Sequence, residues 1–298
     1  TPDVVSHSRA LSGQHRLLEL PHRVGLRPGQ EASSILPLPR VRIVDLRQEL
    51  QEGNRSIFGR ALSQTMDYAL QSGEQVMLYL NRRGSGSLVQ CRDCGYTLRC
   101  RRCDLSLTYH AQSERLLCHQ CNYRLNSPRA CPQCRGRRIR YLGLGTQRVM
   151  EEVQRIFPGA NALRWDRDTA SARGAHESIM ENFNRGEAQV LVGTQMIAKG
   201  LHFPNVTLVG VLCADIGLFL PDYRAGERVF QLLCQVAGRT GRGPLGGQVI
   251  IQTYSPQHYA VAAASAQDYE GFYQEEMTYR EEQGLPPFGH LVHLVYLH

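Results

Sequence analysis

Two periods alternate along the chain from residue 63 onward. Apolar positions spaced three and four apart predict helices over residues 63–71, 146–156, 175–183 and 225–236. Within the second of these, Val149, Val153 and Ile156 fall on one side. Between the helices lie short apolar runs that predict strands over residues 74–80, 161–165, 189–192, 206–212 and 248–253. The run at 206–212 is too apolar to be half exposed. Strands that alternate with helices, and that are apolar on both faces, predict an α/β fold with a mostly parallel sheet covered on both sides. A segment rich in cysteine and arginine, residues 91–140, follows the first of these strands and reads as an insertion in the α/β domain, which then comprises residues 61–90 and 141–255. Residues 1–25 carry little signal. Residues 26–60, with Pro28, Pro37 and Pro39, read as a connecting segment with one short strand at 41–45. Beyond Ser255 the pattern is helical as far as Gln283, and Pro286-Pro287 begins something new within residues 256–298.

Composition adds limits. At 298 residues the chain is long enough for about two domains, and 42% apolar with 20% charged residues excludes a disordered chain. No apolar run is long enough to span a bilayer, and the first residues lack the basic-then-apolar profile of a signal peptide. The expected compartment is the cytoplasm. A first residue Thr1 and a last residue His298 inside an apolar run predict an excised piece of a longer protein.

Charge changes the picture of the insertion. The net charge is +7, yet residues 82–140 hold thirteen arginines against Asp93, Asp104 and Glu114, which leaves the rest of the chain slightly acidic. So local an excess favours a polyanion, DNA or RNA, over a merely solvated surface. The same segment holds four C-x-x-C pairs: Cys91/Cys94, Cys100/Cys103, Cys118/Cys121 and Cys131/Cys134. Two residues between thiolates let a tight turn aim both sulfurs at one metal, and four pairs make two closed four-sulfur sites of the structural zinc kind. Fourteen residues separate Cys103 from Cys118, a length that suits a β-hairpin with arms at 105–109 and 115–117. That favours a nested arrangement, with Cys100, Cys103, Cys118 and Cys121 on one metal and Cys91, Cys94, Cys131 and Cys134 on the other; sequential and crossed pairings stay open. His110 and His119 read as bystanders, and Cys213 and Cys234 as buried thiols.

Five motifs carry candidate chemistry. Gln235-Val236-Ala237-Gly238-Arg239-Thr240-Gly241-Arg242 closes a helix and puts two arginines three residues apart, with guanidinium forks suited to phosphate oxygens. Gly193-Thr194-Gln195-Met196-Ile197-Ala198-Lys199-Gly200 follows a strand, where parallel sheets bind ligands, and Lys199 is the one lysine in the chain. Gly145 and Thr146 precede a helix that Thr146 can cap, leaving N–H groups for a phosphate. Asn81-Arg82-Arg83-Gly84 ends the first strand. Arg164-Trp165-Asp166-Arg167-Asp168-Thr169 follows another, and its carboxylates read as holding arginine side chains and capping a turn.

In this order the motifs resemble the second motor lobe of a superfamily-2 helicase. With NRRG, four C-x-x-C pairs, GLGTQ, RWDRDT, GTQMIAKG, LPDYRAGER and QVAGRTGR, nearly the whole chain resembles the family of bacterial replication-restart DNA helicases, PriA (primosomal protein N′). The resemblance implies a RecA-like lobe 2 with a double-zinc ribbon insertion and the nested metal pairing. Residues 1–25 would then end helicase lobe 1, and residues 256–298 would begin a C-terminal domain. It also implies an ATP-dependent 3′→5′ helicase that acts on forked and single-stranded DNA, stalled forks and D-loops, with Mg²⁺ and ATP bound mainly by lobe 1. Single-stranded-DNA-binding protein and primosome proteins are the implied partners. Carried onto these residues, Gln235, Arg239 and Arg242 would face the nucleotide, Arg242 as the finger. Gly193, Thr194, Gln195, Lys199 and Gly200, with Gly145 and Thr146, would couple nucleotide to DNA, and Arg82, Arg83 and Arg167 would contact DNA. The arginines and the Lys199 loop are expected to share one open edge of the sheet. His202 stands where many superfamily-2 members have Asp, and Cys213 where the family often has Asp, so neither receives a role.

No G-x-x-x-x-G-K-[ST] and no D-E-x-H occurs in these residues, so the groups that grip the phosphates and Mg²⁺ are expected from upstream, and this piece alone is expected not to hydrolyse ATP. The alternative is an ATPase-deficient, zinc-containing scaffold that binds forks and loads a helicase. A P-loop lysine upstream of Thr1 separates the two. A zinc-ribbon RNA helicase is a third reading, which charge alone does not separate from the first.

Overall fold

In the computed structural model, all residues are described except 21, 26–33, 82–86, 103–105, 111–112, 119–120, 143–144, 167–168, 170–173, 195–202, 221, 242–245, 293 and 295–298. The chain begins with α1 (Val4–Leu11), a small antiparallel pair β1 (Val24–Gly25) and β2 (Ser34–Ile35), then β3 (Arg40–Asp45), α2 (Leu46–Gln51), α3 (Arg60–Gln71) and β4 (Gln75–Tyr79). The Cys-rich segment supplies β5 (Ser87–Cys91), β6 (Thr108–His110), β7 (Arg115–Leu117), β8 (Arg124–Asn126) and β9 (Ile139–Leu142). There follow α4 (Thr146–Ile156), β10 (Ala162–Trp165), α5 (Ala175–Asn184), β11 (Val190–Gly193), β12 (Val206–Val211), α6 (Asp215–Leu218), α7 (Ala225–Ala237), β13 (Gln248–Thr253), α8 (Tyr259–Ala266) and α9 (Tyr269–Glu282). The helices and strands expected from periodicity are present, with ends shifted by a few residues.

Six strands form a parallel sheet in the order β10-β11-β4-β12-β13-β3. Alternation along β4 divides its side chains between two cores. Val76, Leu78 and Leu80 join Leu62, Met66, Val149 and Val153 under α3 and α4, while Met77 and Tyr79 join Phe183, Phe230 and Phe272 under α5, α7 and α9. Burial on both faces is why these strands read as continuous apolar runs. The strand expected inside the connecting segment is β3, built into the sheet as an edge beside β13.

The inserted module is a separate antiparallel sheet, order β8-β7-β6-β5-β9. Its core is small, chiefly Val89, Leu98, Leu107 and Leu116 with Cys100 and Cys118. A core of that size is marginal alone, and metal ligation is the usual supplement.

Candidate functional site

Three of the four cysteine pairs sit on one repeated turn. Cys91 donates its N–H to Tyr96 O and accepts from Gly95 N–H; Cys118 does the same with Tyr123 and Asn122, and Cys131 with Gly136 and Arg135. The residue after the second cysteine has positive φ each time: Gly95, Asn122 and Arg135. This left-handed residue folds the chain back so that both sulfurs point the same way. Cys91, Cys94, Cys131 and Cys134 bring their Sγ atoms within 4.8 Å of one another, with Cys91–Cys134 at 3.6 Å and Cys94–Cys131 at 3.8 Å. Zn–S bonds of about 2.3 Å at tetrahedral angles place sulfurs roughly 3.8 Å apart, so the donor set fits zinc. Cys100, Cys118 and Cys121 form the second cluster, with Cys100–Cys121 at 3.5 Å; Cys103 lies outside the described residues. The grouping is the nested one. Burial pushes the Cys91 and Cys94 thiols up, and the Gly136 N–H pulls Cys134 down. A bound cation would offset the cost of holding these sulfurs as thiolates. His110 lies on β6, outside both clusters, and His119 is outside the described residues. Cys213 is buried as expected, and burial holds its thiol well up; Cys234 is half-buried rather than buried, and its thiol is pushed up to about 11.

The module is docked on the carboxyl edge of the parallel sheet. Gly95 has φ +79°, and a Cβ there would lie 2.5 Å from Tyr254 O. Arg92 donates to the Tyr254 hydroxyl at 2.8 Å and lies over its ring. Gln90 reaches Asp215, which is fully buried and also accepts from the Thr253 hydroxyl and Tyr254 N–H. Sequence reasoning missed this dock. Its only local signal is a carboxylate directly after a fully apolar strand. Away from the dock the module turns Arg101, Arg115, Arg124, Arg129 and Arg137 to solvent.

The same edge gathers other motif residues. Thr146 is buried and donates its hydroxyl to Asp166, which also accepts from Arg164 Nε at 2.7 Å and Thr169 N–H at 3.1 Å. Burial opposes the Asp166 charge, but these bonds outweigh it and hold the carboxyl well below its usual range. Thr146 does not cap α4 as expected. Thr146 is the first residue of the helix, Gly145 is the N-cap, and the Thr146 hydroxyl is engaged by Asp166. Gly193 ends β11 paired with Trp165 and Tyr79, and Thr194 N–H reaches Trp165 O. Gln195, Lys199, Gly200, His202, Arg82, Arg83, Arg167 and Asp168 lie outside the described residues.

The arginine motif is placed differently from expectation. α7 runs back against the strands and stops at Ala237, so Arg239 lies in the loop beyond it rather than on a helical turn. Thr240 donates its hydroxyl to Val206 O at the start of β12, and a Cβ on Gly247 would lie 2.3 Å from Gly241 N. The loop thus sits at the amino edge of β12 and β13, whereas Thr194 sits at the carboxyl edge. The expected sharing of one edge by the arginines and the Lys199 loop turns on residues outside the described ones. Gln235 is exposed near the end of α7 and its carbonyl accepts from Arg239 Nε at 3.4 Å; Arg242 lies outside the described residues.

A buried charge network, also unforeseen, fixes α7 from behind. Arg280 of α9 pairs with Glu227 of α7 at 2.7 Å and with Glu276 at 2.8 Å, all three being buried, and Tyr259 donates to Glu276. Glu227 also accepts the Val4 N–H at 2.9 Å, which ties α1 to α7.

Comparison with known proteins agrees with this architecture. Residues 147–244 match the helicase conserved C-terminal domain, and residues 100–125 match the PriA DNA helicase Cys-rich region. The chain is 49% identical over 291 residues to the replication restart protein PriA of Bacillus subtilis, covering 98% of this chain and 35% of that protein. The replication restart protein PriA of Synechocystis is 45% identical over 96% of this chain and 34% of its own length. The chain thus spans about a third of the length of these curated relatives. Among solved structures, the C-terminal domain of the DEAD-box protein Dbp5 overlaps at a TM-score of 0.40 and 11% identity, covering 81% of this chain and 98% of that one. No helix among the described residues is long and apolar enough to cross a membrane.

Proposed function

Since the chain belongs to the PriA family, as a segment holding the helicase C-terminal lobe and the Cys-rich module, we propose that it forms the second wall of the motor in an ATP-dependent 3′→5′ DNA helicase that restarts stalled replication forks. The observation that carries the reading is the placement of two motif sets at opposite edges of one parallel sheet. Gly193 and Thr194 lie at the carboxyl edge with the module, and Arg239 and Thr240 lie at the amino edge.

In this reading Arg239 and Arg242 offer guanidinium groups to the phosphates of an ATP whose Mg²⁺ and P-loop belong to the preceding lobe, with Arg242 as the finger and Gln235 beside it. Bound ATP supplies the phosphoryl group that is hydrolysed. Two zinc ions, one in each cysteine cluster, hold the module, and its solvent-facing arginines meet DNA phosphates. Arg82, Arg83 and Arg167, which follow strands that end at the same edge, would extend that surface. Forked DNA, single-stranded-DNA-binding protein and primosome proteins are the proposed partners.

The test uses the full-length protein. Arg242→Ala should lower DNA-stimulated ATP turnover by roughly 10³–10⁵, as expected for an arginine finger, with DNA affinity nearly unchanged. Loss of DNA binding with normal turnover would refute the assignment. A fork-binding scaffold without ATPase would show no turnover before the substitution is made.

A further inference from the structure

We infer that Arg23 is a positioning residue for the arginine loop after α7, an inference that rests on the proposed role of that loop. Arg23 stands just before β1, and its carbonyl accepts from Leu36 N–H at 2.7 Å, which fixes its backbone to the β1–β2 pair. Its Nη2 donates to Gly238 O at 3.3 Å and to Thr240 O at 3.0 Å. These two carbonyls flank Arg239 on either side.

The chemistry of the contact is specific. The last carbonyls of a helix have no partner within it and carry the negative end of its dipole. Gly238 is the C-cap of α7. A guanidinium placed there makes charge-assisted bonds to carbonyls that a neutral loop would leave to water. Further holds on this loop include the Thr240 hydroxyl on Val206 O, Arg239 Nε on Gln235 O and the packing of Gly241 against Gly247. Arg23 therefore clamps the two peptide carbonyls on either side of Arg239. It lies 215 residues from Gly238 in sequence, in the segment leading into the lobe, so the orientation of the finger loop depends on the seating of that segment.

Displacing a positioned group by about 1 Å can cost about 10²-fold in rate. In the full-length protein, Arg23→Ala should lower DNA-stimulated kcat by about that factor. The KM for ATP, the affinity for DNA and the thermal midpoint should hold within about twofold or a few degrees. Arg23→Lys, which keeps a cation with several donors, should recover part of the loss. Arg23→Ala should add nothing in an Arg242→Ala background. Normal turnover in Arg23→Ala, or a loss that adds fully to that of Arg242→Ala, would overturn the positioning role. Normal turnover in Arg242→Ala itself would instead overturn the finger reading on which it rests.

Discussion

Gly95 holds a left-handed backbone with the Tyr254 carbonyl 2.5 Å from where a Cβ would stand. Two costs are superposed there, conformational and steric. Gly13 has nearly the same φ, +80°, with nothing within 4 Å, and so separates them. Gly13→Ala should cost about 1 kcal/mol, and Gly95→Ala about 1–3 kcal/mol more, measured by urea unfolding. Equal costs would mean that the knuckle does not bear on the lobe. Residues of this kind were half legible in the sequence. The C-x-x-C pair before Gly95 was legible as a metal knuckle, but the carbonyl against Gly95 comes from 159 positions downstream and has no local trace. Asp166 was legible as a carboxylate that holds an arginine. That it also takes the Thr146 hydroxyl follows from the approach of two elements that no local pattern encodes.

At the scale of elements, α8 starts on an acceptor that titrates. His258 caps it by accepting the Ala260 N–H through Nδ1. Burial pushes His258 down to about 4; the nearby Asp215 opposes this and Arg99 adds to it. A histidine whose folded value lies below its unfolded one contributes stability in full above about pH 6.5. That contribution is lost as the pH falls toward 4. The wild-type chain should therefore lose up to about 2 kcal/mol between pH 7 and pH 5 that His258→Asn does not lose. Parallel pH curves of the thermal midpoint would contradict this. The identities of the elements were legible because the central strands β4, β11, β12 and β13 are buried on both faces and the helices that cover them on one. Their order was not. β3 lies beside β13 some 200 residues later, and Glu227 meets Arg280 across two helices. A glutamate beside Val229 and Phe230 on the buried side of α7 was the signal available for the second contact.

For the whole molecule, the cysteine module and the end of β11 share the carboxyl edge of the parallel sheet. Metal analysis should find two zinc ions per chain. Chelation should abolish the antiparallel sheet, followed by hydrogen exchange in β5–β9, while β4, β11 and β12 stay protected. A single zinc, or simultaneous melting of both sheets, would refute independent metal closure. The nested pairing was legible because fourteen residues between Cys103 and Cys118 suit a hairpin. The place where the module docks was not, since Asp215, Thr253 and Tyr254 come from chain far outside it.

The module leaves the lobe on β5 and returns on β9, and these two strands are zipped together from Leu88 opposite Leu142 to Cys91 opposite Ile139. Its two stems are therefore one interstrand gap apart, about 5 Å, a span that a tight turn of two residues closes. Such a turn would keep the chain of the lobe continuous without the appendage, at the cost of the contacts that Arg92 and Gly95 make with Tyr254.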